Sequence, residues 1–142
     1  MTPEEMRRRE QEEQAYFRQM ANRMKAQFAQ MPYFPAQLVQ TEVSQSVQIT
    51  AEVSAFYAKV FQRYELYGNG YCWESIIQQL IAQRRPDWMA KLDFDAEAEV
   101  CLILGQDETT VMQLAEFLHD NLATTAQFEA VLRSIDTDRL DC

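Results

Sequence analysis

Apolar positions recur with two different periods along this chain, and the switches between them divide it into elements. Phe17, Met20, Met24, Phe28 and Met31 follow one another at three or four residues, the spacing of one helical face. The helix they mark begins earlier. Thr2 fits its N-cap, Pro3 its first position, and Glu5 completes a capping box. Its first dozen residues lack the apolar stripe, so the helix is expected to project at its start and dock at its end. MPYFP (31–35) stops it.

Residues 37–50, QLVQTEVSQSVQIT, alternate instead and carry β-branched side chains, which predicts a hairpin turning near Ser44-Gln45. Thr50 then caps a helix whose face is Val53, Phe56, Tyr57, Val60, Phe61 and Tyr64. Gly68 suits the left-handed residue that closes such a helix. A second helix starts near Cys72, buries Trp73, Ile76, Ile77, Leu80 and Ile81, and stops at Pro86. KLDFDAEAEVCLIL (91–104) predicts another hairpin, with strands at Leu92–Phe94 and Glu99–Leu104 and a turn near Asp95–Ala98. Asp107 caps a helix that buries Val111, Leu114, Ala115, Leu118 and Leu122. Thr124 and Gln127 form a capping box for a last helix carrying Phe128, Val131, Leu132 and Ile135. The polar tail, DTDRLDC, is expected to fray.

This order, one helix followed by two ββαα sets, predicts an α+β fold. The two hairpins join in a four-stranded antiparallel sheet with helices packed on one face, plus the long N-terminal helix. Residues 1–31 read as an appendage and 36–142 as a single domain. At 142 residues, 47% of them apolar, the chain can bury a core without metals or disulfides.

Charge adds a direction to this picture. The formal net charge is −9, yet residues 1–30 hold six basic and five acidic side chains, so the excess lies in the rest. An acidic surface repels nucleic acid and anionic membranes and attracts a basic protein, although it also serves solubility alone. Cys72, Cys101 and Cys142 are odd in number and widely spaced, which argues against a disulfide framework or zinc site and for a reducing compartment. MTPEEMRRRE has no apolar stretch of a signal peptide, and no run approaches a membrane span. The expectation is a cytoplasmic protein.

Two of the three glycines stand in YGNGYCW (67–73), the stretch where chemistry is most readily placed. A dinucleotide fingerprint would need a third glycine where Trp73 stands, and a P-loop would need Lys and Ser/Thr where Tyr71 and Cys72 stand. Glu74 disfavours an anion at the next helix start. Cys72, at that start, sits where a thiol pKa can fall, but no base accompanies it; Cys101 reads as a small core residue, and His119 as a helix-surface residue. Asp93, Asp95, Glu97 and Glu99 recur at every second position, which on an extended strand is one face. They read as a solvated hairpin tip or a contact for a basic partner, and they lack the glycine and spacing of an EF-hand. The sequence implies no cofactor and no metal. Asn69 and Tyr71 either serve the turn or anchor an interface. The N-terminal Met/Phe stripe covers the domain's own core, pairs with a second copy as a homodimer, or enters a partner's groove.

GNGYCW followed by an amphipathic helix, then FDAEAEVCLIL and two further helices, resembles the immunity protein 51 family of bacterial polymorphic toxin systems. The hallmark Gly-Asn-Gly-Tyr-x-Trp is matched by Gly68, Asn69, Gly70, Tyr71 and Trp73, and the acidic turn with Asp95 and Glu97 is similar. The resemblance covers residues 36–135 and implies an α+β protein, without enzymatic chemistry, that neutralises a cognate toxin. Combined with the charge, it suggests occlusion of a basic toxin's active site. Alternatives of other classes are an adaptor or structural protein of a secretion system acting through its N-terminal helix, and a small enzyme using Cys72 or the acidic hairpin.

In that pattern the residue before the tryptophan is often acidic, as an N-cap would favour, whereas here it is Cys72. If Cys72 holds the cap position, Cys72→Asp is expected to stabilise the fold by about 1 kcal/mol, read as a higher melting temperature.

Overall fold

A computed structural model describes residues 1–142. They divide into two compact units, Met1–Gln30 and Met31–Cys142. The first is a single helix, α1 (Pro3–Ala29), about 40 Å long at 1.5 Å per residue. Its capping box forms as the sequence predicts: Glu5 N–H donates to Thr2 Oγ1 at 3.2 Å, and Thr2 N–H donates to the Glu5 carboxylate at 3.2 Å. Along the Met/Phe stripe Phe28 is buried, Met24 is half-buried, and Phe17 and Met20 are exposed.

The second unit is built on one antiparallel sheet. Strands β1 (Gln37–Gln40), β2 (Gln45–Thr50), β3 (Leu92–Phe94) and β4 (Val100–Gly105) lie in the order β1-β2-β4-β3. The two predicted hairpins are thus joined through β2 and β4, their second strands. Register puts Val47 opposite Ile103 and Ile49 opposite Cys101, and all four side chains are buried on one sheet face. Helices α3 (Gly70–Arg84) and α4 (Glu108–Leu122) pack on these strands, and α5 (Thr125–Ser134) packs on α4. The apolar periods do the work here. Ile76, Ile77, Leu80 and Ile81 of α3, and Val111, Leu114, Leu118 and Leu122 of α4, are fully buried.

Local chemistry sets the helix starts. Asp107 accepts from Thr110 N–H at 2.7 Å and from the Thr110 hydroxyl at 2.9 Å, and these bonds hold its carboxyl below the ordinary carboxylate value. Thr124 and Gln127 close the second capping box.

Three expectations are overturned. The helix predicted from Thr50 is a 3-10 helix over Ala51–Tyr57 followed by a short α2 (Ala58–Arg63), and Thr50 makes no side-chain cap. Two bonds tie this segment to its neighbours: Ala51 N–H, which has no partner within the helix, donates to Glu99 O at 2.9 Å, and the Ser54 hydroxyl donates to Gly68 O. Gly68 does not close α2, which stops at Arg63; Glu65 takes a left-handed φ of 56° there, and Gly68 takes its own φ of 73° further along the link. The tail is not frayed. It forms a 3-10 turn at Thr137–Arg139 and is tied down by a disulfide between Cys72 and Cys142, with Cα atoms 4.6 Å apart. The odd count misled here: two cysteines 70 positions apart meet through the fold, and Cys101 is the one left free.

The core is centred on aromatic rings. Trp73 lies 5.1–5.5 Å, centroid to centroid, from Tyr57, Phe61 and Phe128, and Tyr57 lies 4.7 Å from Phe128. Edge-on and tilted packing of this kind adds to the burial itself. The Tyr57 hydroxyl donates to Leu122 O at the end of α4, and burial holds its phenol far above the usual range, so it stays neutral. Trp73→Ala is expected to cost about 3–5 kcal/mol, and Trp73→Phe clearly less, in urea unfolding.

Candidate functional site

The joint between α2 and α3 and the tip of the β3–β4 hairpin form one structure. Asn69 is the N-cap of α3: its Oδ1 accepts from Cys72 N–H at 2.9 Å. This corrects the expectation for Cys72, which lies inside the first turn, is fully buried, and is bonded to Cys142. A carboxylate at 72 would be a buried charge in place of a disulfide.

The two glycines of the joint serve different ends. Gly68 sits at φ 73°, a backbone conformation that disfavours a Cβ, and a Cβ there would also meet the Phe61 ring at 2.9 Å. At Gly70 the reason is proximity. A Cβ would lie 1.9 Å from Glu97 O and 2.5 Å from Val100 O, both backbone atoms that cannot step aside. Gly70 N–H donates to Ala98 O at 2.9 Å, so the hairpin tip rests directly on the first residue of α3. One helical turn on, the Glu74 carboxylate accepts from Ala96 N–H at 2.8 Å and holds the tip from its other side.

Trp73 locks the joint from within. Its indole N–H donates to Ser54 Oγ at 2.7 Å, and Ser54 in turn donates to Gly68 O. The buried indole is thus satisfied, and the backbone of the link is fixed by the same serine. Glu74 and Ser54 carry no signal in the sequence beyond their polarity, because their partners, the Ala96 amide for Glu74 and the Gly68 carbonyl and Trp73 indole for Ser54, are distant along the chain.

The predicted site residues divide. Asn69 and Tyr71 flank Gly70, and Glu97 and Glu99 belong to the tip seated upon it. Asp95 N–H donates to Leu102 O at 2.9 Å, which anchors the start of the tip, and Asp93 lies on β3, paired with Leu104. The four carboxylates do not share one strand face, since β3 ends at Phe94 and the chain turns at Ala98-Glu99. All four are exposed, and none joins an ion pair; the salt bridges lie elsewhere, at Arg63–Glu129, Arg85–Asp87 and Arg139–Asp136. Tyr67 and Tyr71, either side of Gly68–Gly70 in the chain, are also exposed, at 85% and 42%.

The groups considered for catalysis have other occupations. His119 Nδ1–H donates to Phe34 O at 2.7 Å. Cys101 is fully buried, and that burial, with the Glu74 charge second, pushes its thiol up to about 12. No group of three or more His, Cys, Asp or Glu side chains comes together in a metal-holding arrangement. The geometry is that of a rigid acidic edge with two exposed tyrosines.

The model of a protein family described as immunity protein 51 matches residues 36–137. No curated protein and no solved structure matches the chain. The matched span holds the joint, both hairpins and helices α2 to α5, and leaves α1 outside.

Substitutions at the joint are expected to rank in urea unfolding. Gly70→Ala costs about 3 kcal/mol, because overpacking against backbone has no cheap relief. Gly68→Ala costs about 1–2 kcal/mol through its left-handed conformation, and Asn69→Ala about 1 kcal/mol as a lost cap. A Gly70→Ala effect no larger than that of Gly68→Ala would mean the hairpin tip is not seated there. Cys72→Asp is now expected to lower the melting temperature, the reverse of its effect at a true cap position.

Proposed function

The chain belongs to the immunity protein 51 family, and from that premise we propose that it binds a cognate toxin with a basic surface and neutralises it by covering the toxin's active site. Membership supplies the coarse role, an immunity protein of a toxin system. The binding face is our assignment. It comprises Asp93, Asp95, Glu97 and Glu99 with Asn69 and Tyr71, and we add Tyr67.

One observation carries this reading. The carboxylates of the hairpin have no basic partner within the chain, while the backbone beneath them is fixed by Gly70 and Glu74. Unpaired like charges on a fixed backbone repel one another and gain when a cationic surface arrives. Exposed tyrosines beside them supply the rigid apolar area that interface centres use. Neutralisation by binding needs no catalytic group. No helix is long and apolar enough to cross a membrane, and we place the encounter in the cytoplasm of the cell that makes the toxin or of its siblings.

A second reading rests on α1, whose Tyr16, Phe17 and Met20 are exposed. Here the helix pairs with a second copy or carries an adaptor role in a secretion system. Light scattering separates the two: Phe17→Glu with Met20→Glu reduces a dimer to a monomer if the stripe is a self-pairing face, and leaves mass unchanged otherwise.

The test of the first reading is a pull-down of the tagged protein from its native cells, with partners identified by mass spectrometry. A stoichiometric basic toxin domain is expected. Against that toxin, replacing the four carboxylates by amides is expected to slow association at least tenfold at low salt, with the difference shrinking at high salt. Tyr71→Ala is expected to weaken binding at least tenfold through faster dissociation. A toxin whose binding ignores both changes uses another face.

A further inference from the structure

One face of α3 holds a stripe that the toxin-binding reading does not use. Cys72, Ser75, Gln79 and Gln83 follow one another at three, four and four residues, which places them in a single row. Each holds a point of the segment 134–142, in antiparallel order. The Gln83 amide donates to Ser134 O at 2.9 Å. The Gln79 amide donates to Asp136 O and accepts from Asp136 N–H, both at 2.9 Å. Ser75 Oγ accepts from Asp141 N–H at 3.0 Å, and Cys72 is bonded to Cys142. The segment is a strap laid along the helix.

The last of these points is the only covalent one. No side chain after Leu132 is fully buried, and Ile135 and Leu140 are only half-buried, so apolar burial holds the strap less firmly than the core elements. Its hydrogen bonds are solvent-exposed, and an open groove of about 640 Å³, lined by Ser75, Gln79, Gln83, Ser134, Asp136 and Arg139, runs beside it. Water competes for each such bond, so its net worth is small. The covalent bond keeps the ends together whenever the hydrogen bonds open.

We propose that Cys72–Cys142 is a thiol-exchange site for small thiols, and that its reduction releases the strap and uncovers the Ser75–Gln83 face of α3. Cys142 is half-buried and Cys72 fully buried, so Cys142 is the more accessible end. A small-molecule thiolate attacks Cys142 Sγ; the bond to Cys72 breaks, and its electron pair leaves on Cys72 sulfur, which takes up a proton. A second thiolate attacks the mixed disulfide and leaves Cys142 as a thiol. Two small thiols become one small disulfide, and the protein disulfide becomes two thiols. The remaining cysteine, Cys101, takes no part because the core encloses it. In an oxidising compartment the strap is locked, and in a reducing one it is free.

The experiment uses the full chain prepared without reductant. Alkylation before unfolding and intact mass are expected to show no modified thiol, and glutathione is expected to add transiently as one mixed disulfide. Amide exchange is then followed at Asp136 and Asp141, with and without dithiothreitol. Reduction is expected to speed exchange at both at least tenfold, and Cys142→Ser in non-reducing buffer to match the reduced protein. An unchanged tryptophan fluorescence maximum, from buried Trp73 and Trp88, shows that the core stays folded. Equal exchange in the oxidised, reduced and substituted proteins would overturn the proposal, because the amides alone would then hold the strap. Free, alkylatable Cys72 and Cys142 in the unreduced protein would overturn it as well.

Discussion

The structure depends on the approach of two backbones at Gly70. The carbonyl oxygens of Glu97 and Val100 occupy the space where any other residue would place its Cβ. Because that space is free of a side chain, the β3–β4 hairpin meets the first residue of α3 directly, through Gly70 N–H and Ala98 O. The helix start is thereby fixed to the edge of the sheet. Three residues later Trp73 enters the aromatic core, where its ring packs on Tyr57, Phe61 and Phe128. Between them Tyr71 is left at the surface. A single close contact thus decides which aromatic is buried and which is offered outward.

Much of this fold is legible in the sequence wherever the information is local. The helical periods of α4 and α5, their caps at Asp107 and Thr124, and both hairpins follow from spacing and side-chain chemistry a few residues apart. So does the burial of Trp73. Illegible parts depend on residues that meet only after folding. The stretch after Thr50 has a good helical face but forms a 3-10 helix, and its Ala51 amide and Ser54 hydroxyl meet Glu99 and Gly68, partners distant along the chain. Gly70 is visible as a glycine, but its reason is a carbonyl nearly thirty residues away. The Cys72–Cys142 bond was obscured by parity, since counting cysteines says nothing of which two the topology brings together.

The candidate site was legible in part for the same reason. Its residue types stand out in the sequence: asparagine between glycines, tyrosines beside them, carboxylates at alternate positions. Their mutual placement does not. Alternation suggested one strand face for Asp93, Asp95, Glu97 and Glu99, whereas only Asp93 lies on β3 and the other three follow the chain beyond it into the turn at Ala98-Glu99. Glu74 was invisible as a clamp because it binds a backbone amide, Ala96 N–H, and backbone amides carry no sequence signature.

Fixing an acidic tip from beneath has a consequence for recognition. A mobile loop bearing the same charges would have to be ordered on binding, and that entropy would be subtracted from the attraction. Here the ordering is already accomplished by contacts within the domain, at Gly70 from one side and Glu74 from the other. Glu74 does this at some electrostatic cost, adding a further negative charge beneath an acidic tip. Its charge is tolerable because it is met by an amide N–H rather than by another carboxylate. The side chains above are left with water alone to screen them. Rigid backbone with unpaired charge on its surface is a poor arrangement for stability and a good one for fast, oriented encounter with an opposite charge. On our proposal that imbalance, more than the total charge of −9, is what suits this edge to a basic partner.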